Sequence, residues 1–142
     1  MKTYKGQFKP KNPHKYIGNL FNIIYRSGWE LKYMMYLDNH PDVLQWNSEE
    51  IVIPYRSPVD GRMHRYFPDF LVKTKDVTMI IEIKPKKQTI PPKKSKKVSR
   101  QYLNEVMTWG VNEAKWKAAQ EYCKDRLWQF RVFTEDHLGI KT

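Results

Sequence analysis

The chain has 142 residues, of which 40% are hydrophobic and 14% aromatic, enough for one packed core and too many for a disordered protein. Its 26 Lys and Arg against 15 Asp and Glu leave a formal charge of +11, which points to a polyanionic partner, nucleic acid before an anionic membrane. The single Cys123 excludes an internal disulfide framework and a cysteine-based zinc site; no apolar run approaches the ~20 residues that span a bilayer, and the basic opening lacks the apolar centre of a signal peptide, so no membrane role and no secretion are expected.

Residues 1–20, rich in Lys, Pro and Asn, read as an extended basic arm, and residues 21–142 as one folded domain. In "NIIYRSGWELKYMMYLDNHPDV", Trp29, Tyr33, Met34 and Leu37 stand at helical spacing. Pro41 ends that helix, because it disfavours helical geometry at His40 and has no amide to donate. "VLQWNSEEIVIPYRS" reads as a strand, "SPVDGR" as a tight turn, and "HRYFPDFLVK" and "TMIIEIKP" as two more strands. Residues 85–100 hold lysines and prolines but no acid, which predicts a basic loop rather than a packed element. "QYLNEVMTWGVNEAKWKAAQEYCKDR" follows as a helix with a bend or break expected at Gly110, then "LWQFRVFT" as a closing strand and a short tail. Helix, three meandering strands, helix and strand make an α/β fold on a mixed sheet.

The chemistry concentrates at Asp69, Glu82 and Lys84. Side chains alternate along a strand, so Glu82 and Lys84 point the same way, and antiparallel pairing brings Asp69, expected near mid-strand, beside Glu82. Pro68 donates no hydrogen bond and predicts a bulge that aims Asp69. Two neighbouring carboxylates repel unless a proton or a cation lies between them, and hard oxygen ligands favour Mg²⁺, with Mn²⁺ as a substitute. Such an ion with a lysine beside it suits phosphodiester hydrolysis. The residues alone leave a second reading open, in which Glu82 and Lys84 are a solvated face with a weak ion pair. Arg56, Arg62 and Arg65 flank the turn beside these groups, and Lys86, Lys87, Lys93, Lys94, Lys96 and Lys97 follow in the basic loop; all are candidate phosphate contacts on DNA. No residue spells base-specific readout, so weak sequence preference is expected. His14, His40, His64 and His137 show no zinc spacing.

"FPDF" followed by "IIEIKP" resembles the PD-(D/E)XK nuclease signature, and "YRSGWELKYMMYLDNHPDVLQW" with "IVIPY" resembles the opening of TnsA-type transposon endonuclease domains. "QFKPKNP", "IIYRS", "LDNHPDV", "PYRSPVDGR" and "HRYFPDF", spread over most of residues 7 to 90, are similar to the head completion nucleases of T-even-type bacteriophages. The resemblance implies a single-domain, restriction-endonuclease-like mixed sheet flanked by helices and a Mg²⁺-dependent endonuclease acting on double-stranded DNA. It makes Asp69 and Glu82 metal ligands, Glu30 a helical residue that assists the metal, and Lys84 the catalytic lysine. It further implies head completion after DNA packaging, with portal or head–tail connector proteins as partners, in the host cytoplasm during assembly or in the virion. Glu30 has a competing reading, since Ser27-x-x-Glu30 is also a helix capping box. The rival for the whole chain is a catalytically inactive structural head-completion or DNA-binding protein.

Overall fold

In the computed structural model, which describes residues 3–94 and 97–139, the elements run β1 (Thr3–Gln7), β2 (Ile24–Ser27), α1 (Gly28–Asn39), β3 (Val43–Ser48), β4 (Ile53–Arg56), β5 (Met63–Tyr66), β6 (Phe70–Thr74), β7 (Thr78–Ile83), α2 (Arg100–Asp125), β8 (Gln129–Phe133) and α3 (Glu135–Leu138). The main sheet has the order β3-β6-β7-β8. β6 pairs antiparallel with both β3 and β7, while β7 and β8 run parallel. A parallel pair needs a long crossover, and α2 supplies it. The sheet is therefore mixed, and helices flank both faces, the α/β architecture expected. Ile80, Ile81, Glu82 and Ile83 are all buried, because β7 is covered on both sides.

Alternation divides the core. Trp46, Phe70, Val72, Ile81 and Ile83 face Tyr33, Met34 and Leu37 of α1. Ile80 turns the other way, toward Ala119 and Cys123 of α2 and toward Ile53, Tyr55 and Tyr66 of the β4–β5 ribbon. α1 begins where the Ser27 hydroxyl accepts the Glu30 amide at 3.1 Å and stops at His40, which is extended (ψ 126°) ahead of Pro41.

The structure departs from the sequence reading in several places. The stretch expected as an extended arm folds back from Thr3 onward: β1 pairs with β2, and Phe8 and Tyr16 enter the core. Asp38, 2% exposed, accepts the amides of Lys11 (2.8 Å) and Asn12 (3.0 Å). Lys15, also buried, donates to the carbonyls of Asp38 (3.1 Å) and His40 (2.9 Å), which satisfies its ammonium away from water.

"VLQWNSEEIVIPYRS" is two strands, parted at Glu49, whose φ of +56° turns the chain out of the main sheet. "HRYFPDFLVK" is likewise two strands. Pro68 cannot donate to a ladder, so β5 stays with β4 in a two-stranded ribbon and β6 starts afresh in the main sheet. Asp69 consequently lies just ahead of β6 rather than near the middle of a strand. Gly110 does not break α2, which runs unbroken for 26 residues; one glycine costs a helix only about 1 kcal/mol relative to alanine. The short tail includes a helix, α3, capped where His137 Nδ1 accepts the Thr134 amide at 2.9 Å. Among the described residues no helix is long and apolar enough to cross a membrane.

Candidate active site

The site forms where β6 and β7 meet the chain arriving from the ribbon. Phe70 pairs with Ile81, so the next position outward sets Asp69 against Glu82. Side chains take over from the backbone ladder there: Asp69 Oδ2 accepts the Ile83 amide at 2.7 Å, and Glu82 Oε1 accepts the Asp69 amide at 3.2 Å. Glu82 is 5% exposed. Burial first, and then the Glu82 charge, hold the Asp69 carboxyl well above the usual carboxylate range. Burial raises Glu82 as well, opposed mainly by Lys84. Two enclosed carboxylates this close share a proton when no cation is present. Lys84 comes directly after β7 and is fixed by its amide, which donates to the Phe133 carbonyl at 3.0 Å.

Glu30 joins them from the first turn of α1. Its amide is the one capped by Ser27, whereas its carboxylate Oε2 takes the Ser27 hydroxyl at 3.4 Å. Capping and a place in the site are therefore compatible, because different atoms serve them. Burial, then the charges of Asp69 and Glu49, push the Glu30 carboxyl up to about 7.

Glu49 is a member that sequence reasoning missed. One carboxylate oxygen from each of Glu30, Glu49 and Asp69 lies within 4.8 Å of the others. The Glu49 amide donates to the Asp69 carbonyl at 3.2 Å, and Arg26 grips its carboxylate with Nε and Nη2, each at 3.0 Å. In sequence, Glu49 and Glu50 fall inside the stretch read as one strand, and only the break at Glu49 reveals the difference. Glu50 next to it is structural: its Oε2 accepts the Tyr16 hydroxyl (2.9 Å) and the Asn19 amide (3.0 Å). Tyr66, 3% exposed, brings its phenol close enough to Glu82 and Asp69 to be raised by their charges as well as by burial. Its hydroxyl has no well-aligned hydrogen-bond partner among the described residues.

The donor set is hard and anionic. Glu30, Glu49, Asp69 and Glu82 outnumber the neighbouring cations Arg26 and Lys84, and a closely spaced oxygen set of that charge fits a divalent ion such as Mg²⁺ or Mn²⁺.

Arg56, Arg62 and Arg65 lie exposed on the β4–β5 hairpin. Arg56 Nη1 is engaged by the Gly61 carbonyl at 2.5 Å, and Arg65 sits over the Phe67 ring at 5.8 Å. Lys86 is tied to α3, with its amide on Glu135 at 2.6 Å and its ammonium on Asp136 at 3.1 Å. Lys87 and Lys93 border a groove of about 840 Å³ between the proline-rich loop and the first half of α2. Lys94 and Lys97 are exposed, and Lys96 lies outside the described residues. His64 serves the turn, 2.8 Å from Asp60, and Lys115 packs over Tyr55 and Tyr66 at 5.8 and 5.5 Å.

Residues 40–135 match the family described as TnsA-like endonuclease N terminal. The chain is 43% identical over 141 residues to the head completion nuclease of Enterobacteria phage T4, an alignment covering 96% of this chain and 94% of the relative. A match over most of the length, on a mixed sheet flanked by helices, makes this chain a member of the TnsA-like endonuclease family within the PD-(D/E)XK superfamily.

Proposed function

We propose that this chain is a divalent-cation-dependent DNA endonuclease that cleaves with little sequence preference and acts in phage head completion after packaging. The observation that carries the reading is Asp69 facing Glu82 where the β6–β7 ladder gives way, with Lys84 just beyond the same strand. Asp69 and Glu82, assisted by Glu30, would hold Mg²⁺, or Mn²⁺ in its place. When bound, the ion polarises the phosphoryl group and makes the attacking water more acidic.

The chain's own residues do the rest. The Ile83 amide and the Asp69 amide orient the two carboxylates, so their oxygens are fixed before substrate arrives. Lys84 sets an ammonium beside them, where it offsets the negative charge that builds on the phosphate oxygens. Arg56, Arg62 and Arg65 on the hairpin, and Lys87, Lys93, Lys94, Lys96 and Lys97 in or after the loop, supply phosphate contacts; Lys86 does so only by leaving Asp136. Phosphate contacts position DNA without reading sequence, which is the basis for weak preference. The head-completion role, the host-cytoplasm or virion setting and a portal or connector docking partner rest on the similarity to the T4 protein.

The test is purified protein on supercoiled plasmid. Nicking or linearisation is expected with Mg²⁺ or Mn²⁺ and none in chelator, while Ca²⁺ supports binding with little cleavage because its loose coordination organises the water poorly. Cleavage that persists in chelator refutes the mechanism, and no cleavage under any cation favours the inactive structural alternative.

A further inference from the structure

Glu49 stands in the candidate donor set but has no role in the proposed cleavage, and its surroundings point to one. It sits at the β3 break with φ +56°, and its amide binds the Asp69 carbonyl, so its backbone is fixed to that of the principal carboxylate. Its side chain brings one oxygen within 4.8 Å of oxygens of Glu30 and Asp69. Its partner there is Arg26, whose side chain is 52% exposed against 28% for Glu49. An ion pair that open to water is held weakly, and a divalent ion arriving among three carboxylate oxygens competes for the same lone pairs.

A second observation concerns Glu82. The buried Tyr66 hydroxyl reaches the Glu82 carboxylate, which also accepts the Asp69 amide. Glu82 is thus held by donors of the buried interior, whereas the Glu49 carboxylate is met by a half-exposed Arg26 that can leave it.

We propose that Glu49 is an additional cation-binding carboxylate of this site, and that Arg26 is its exchangeable counter-ion, released when the divalent ion binds. The proposal rests on the reading of Asp69 and Glu82 as the metal site and adds to it a residue from the β3–β4 break.

Mn²⁺ binding, followed by electron paramagnetic resonance of the free ion, tests it on wild type, Glu49→Gln, Arg26→Ala, the double variant and Asp69→Ala, with melting curves to show that each is folded. Glu49→Gln should weaken Mn²⁺ at least tenfold. Arg26→Ala should tighten it several-fold, because it frees Glu49, and that gain should vanish in the double variant. The double-mutant comparison separates release of Glu49 from a general loss of positive charge, which would tighten binding equally in either background. Glu49→Gln within twofold of wild type, no gain in Arg26→Ala, or a gain that survives in the double variant each overturns the proposal. Should Glu49→Gln fail to fold, Glu49→Ala replaces it in both the single and the double variant, and the same comparison decides. Asp69→Ala tells the two readings apart: loss of Mn²⁺ there upholds the site whatever Glu49 does, and undiminished Mn²⁺ in Asp69→Ala refutes the site itself.

Discussion

Loading the site with a divalent ion should expel protons, and the structure says about how many. Carboxylates bind metal in their ionised form. Glu30 is pushed up to about 7, so at pH 7 about half of its population carries a proton. Asp69 and Glu82, enclosed together, are both raised by burial, so the pair adds to whatever Glu30 releases. Each Mn²⁺ bound at pH 7 should therefore release at least about half a proton. The assay is titration calorimetry in buffers of different ionisation enthalpy, where the slope of apparent against buffer enthalpy gives the proton count. Glu30→Gln should lower that count by about half a proton at pH 7, leaving the share of the Asp69–Glu82 pair. Affinity should rise with pH through neutrality, because more of the ligand set is then already ionised. Stability of the metal-free protein runs the other way. The folded Glu30 carboxyl keeps its proton above the ordinary value of 4.5, so its contribution is full below 4.5 and is lost as pH rises through about 7. A proton count indistinguishable from zero at pH 7 would refute the reasoning, since it requires carboxylates already ionised without metal.

Three further outcomes follow from the same geometry. Glu30→Gln should slow cleavage at least tenfold with little change in melting temperature, because the Ser27 cap is made to the Glu30 backbone amide; a cleavage rate near wild type assigns Glu30 to structure alone. Changing Lys93, Lys94, Lys96 and Lys97 to Ala should flatten the plot of log K against log salt by about 0.9 for each phosphate that these lysines neutralise in the wild type, with cleavage at saturating DNA retained, and an unchanged slope takes the loop out of the DNA interface. Asp38→Ala should cost about 3 kcal/mol, since it strands two amides beside a buried lysine, and should lower the melting temperature by roughly 10 °C; an unchanged melting temperature would mean that residues 3–20 are not anchored as described.

Parts of this molecule could be read from the chain because local rules and tertiary demands agree there. Ser27 opens α1 and Pro41 closes it, as cap and proline chemistry require. The apolar run around Ile80 and Ile81 belongs in a covered central strand, and Glu82 within it is conspicuous for that reason. The features that sequence did not reveal depend on partners distant along the chain. Lys15 is indistinguishable in composition from an exposed lysine until Asp38 and His40 turn their carbonyls toward it. Glu49 and Glu50 are adjacent and identical, yet one reaches the site and the other braces Tyr16, a difference set by a single left-handed residue. Pro68 marked Asp69 as special, but it ends one sheet and allows another to begin rather than bulging a continuous strand.

The measurement that bears most directly on the proposed activity is the single-turnover cleavage rate of duplex DNA at saturating protein, with Mg²⁺, for wild type and Asp69→Ala, alongside DNA affinity in Ca²⁺. The account predicts a rate reduction of about a hundred- to a thousandfold, on the scale of removing a principal electrostatic group from an active site, with DNA affinity within a few-fold of wild type because the proposed phosphate contacts lie on the hairpin and loop. Cleavage by Asp69→Ala at the wild-type rate would contradict it.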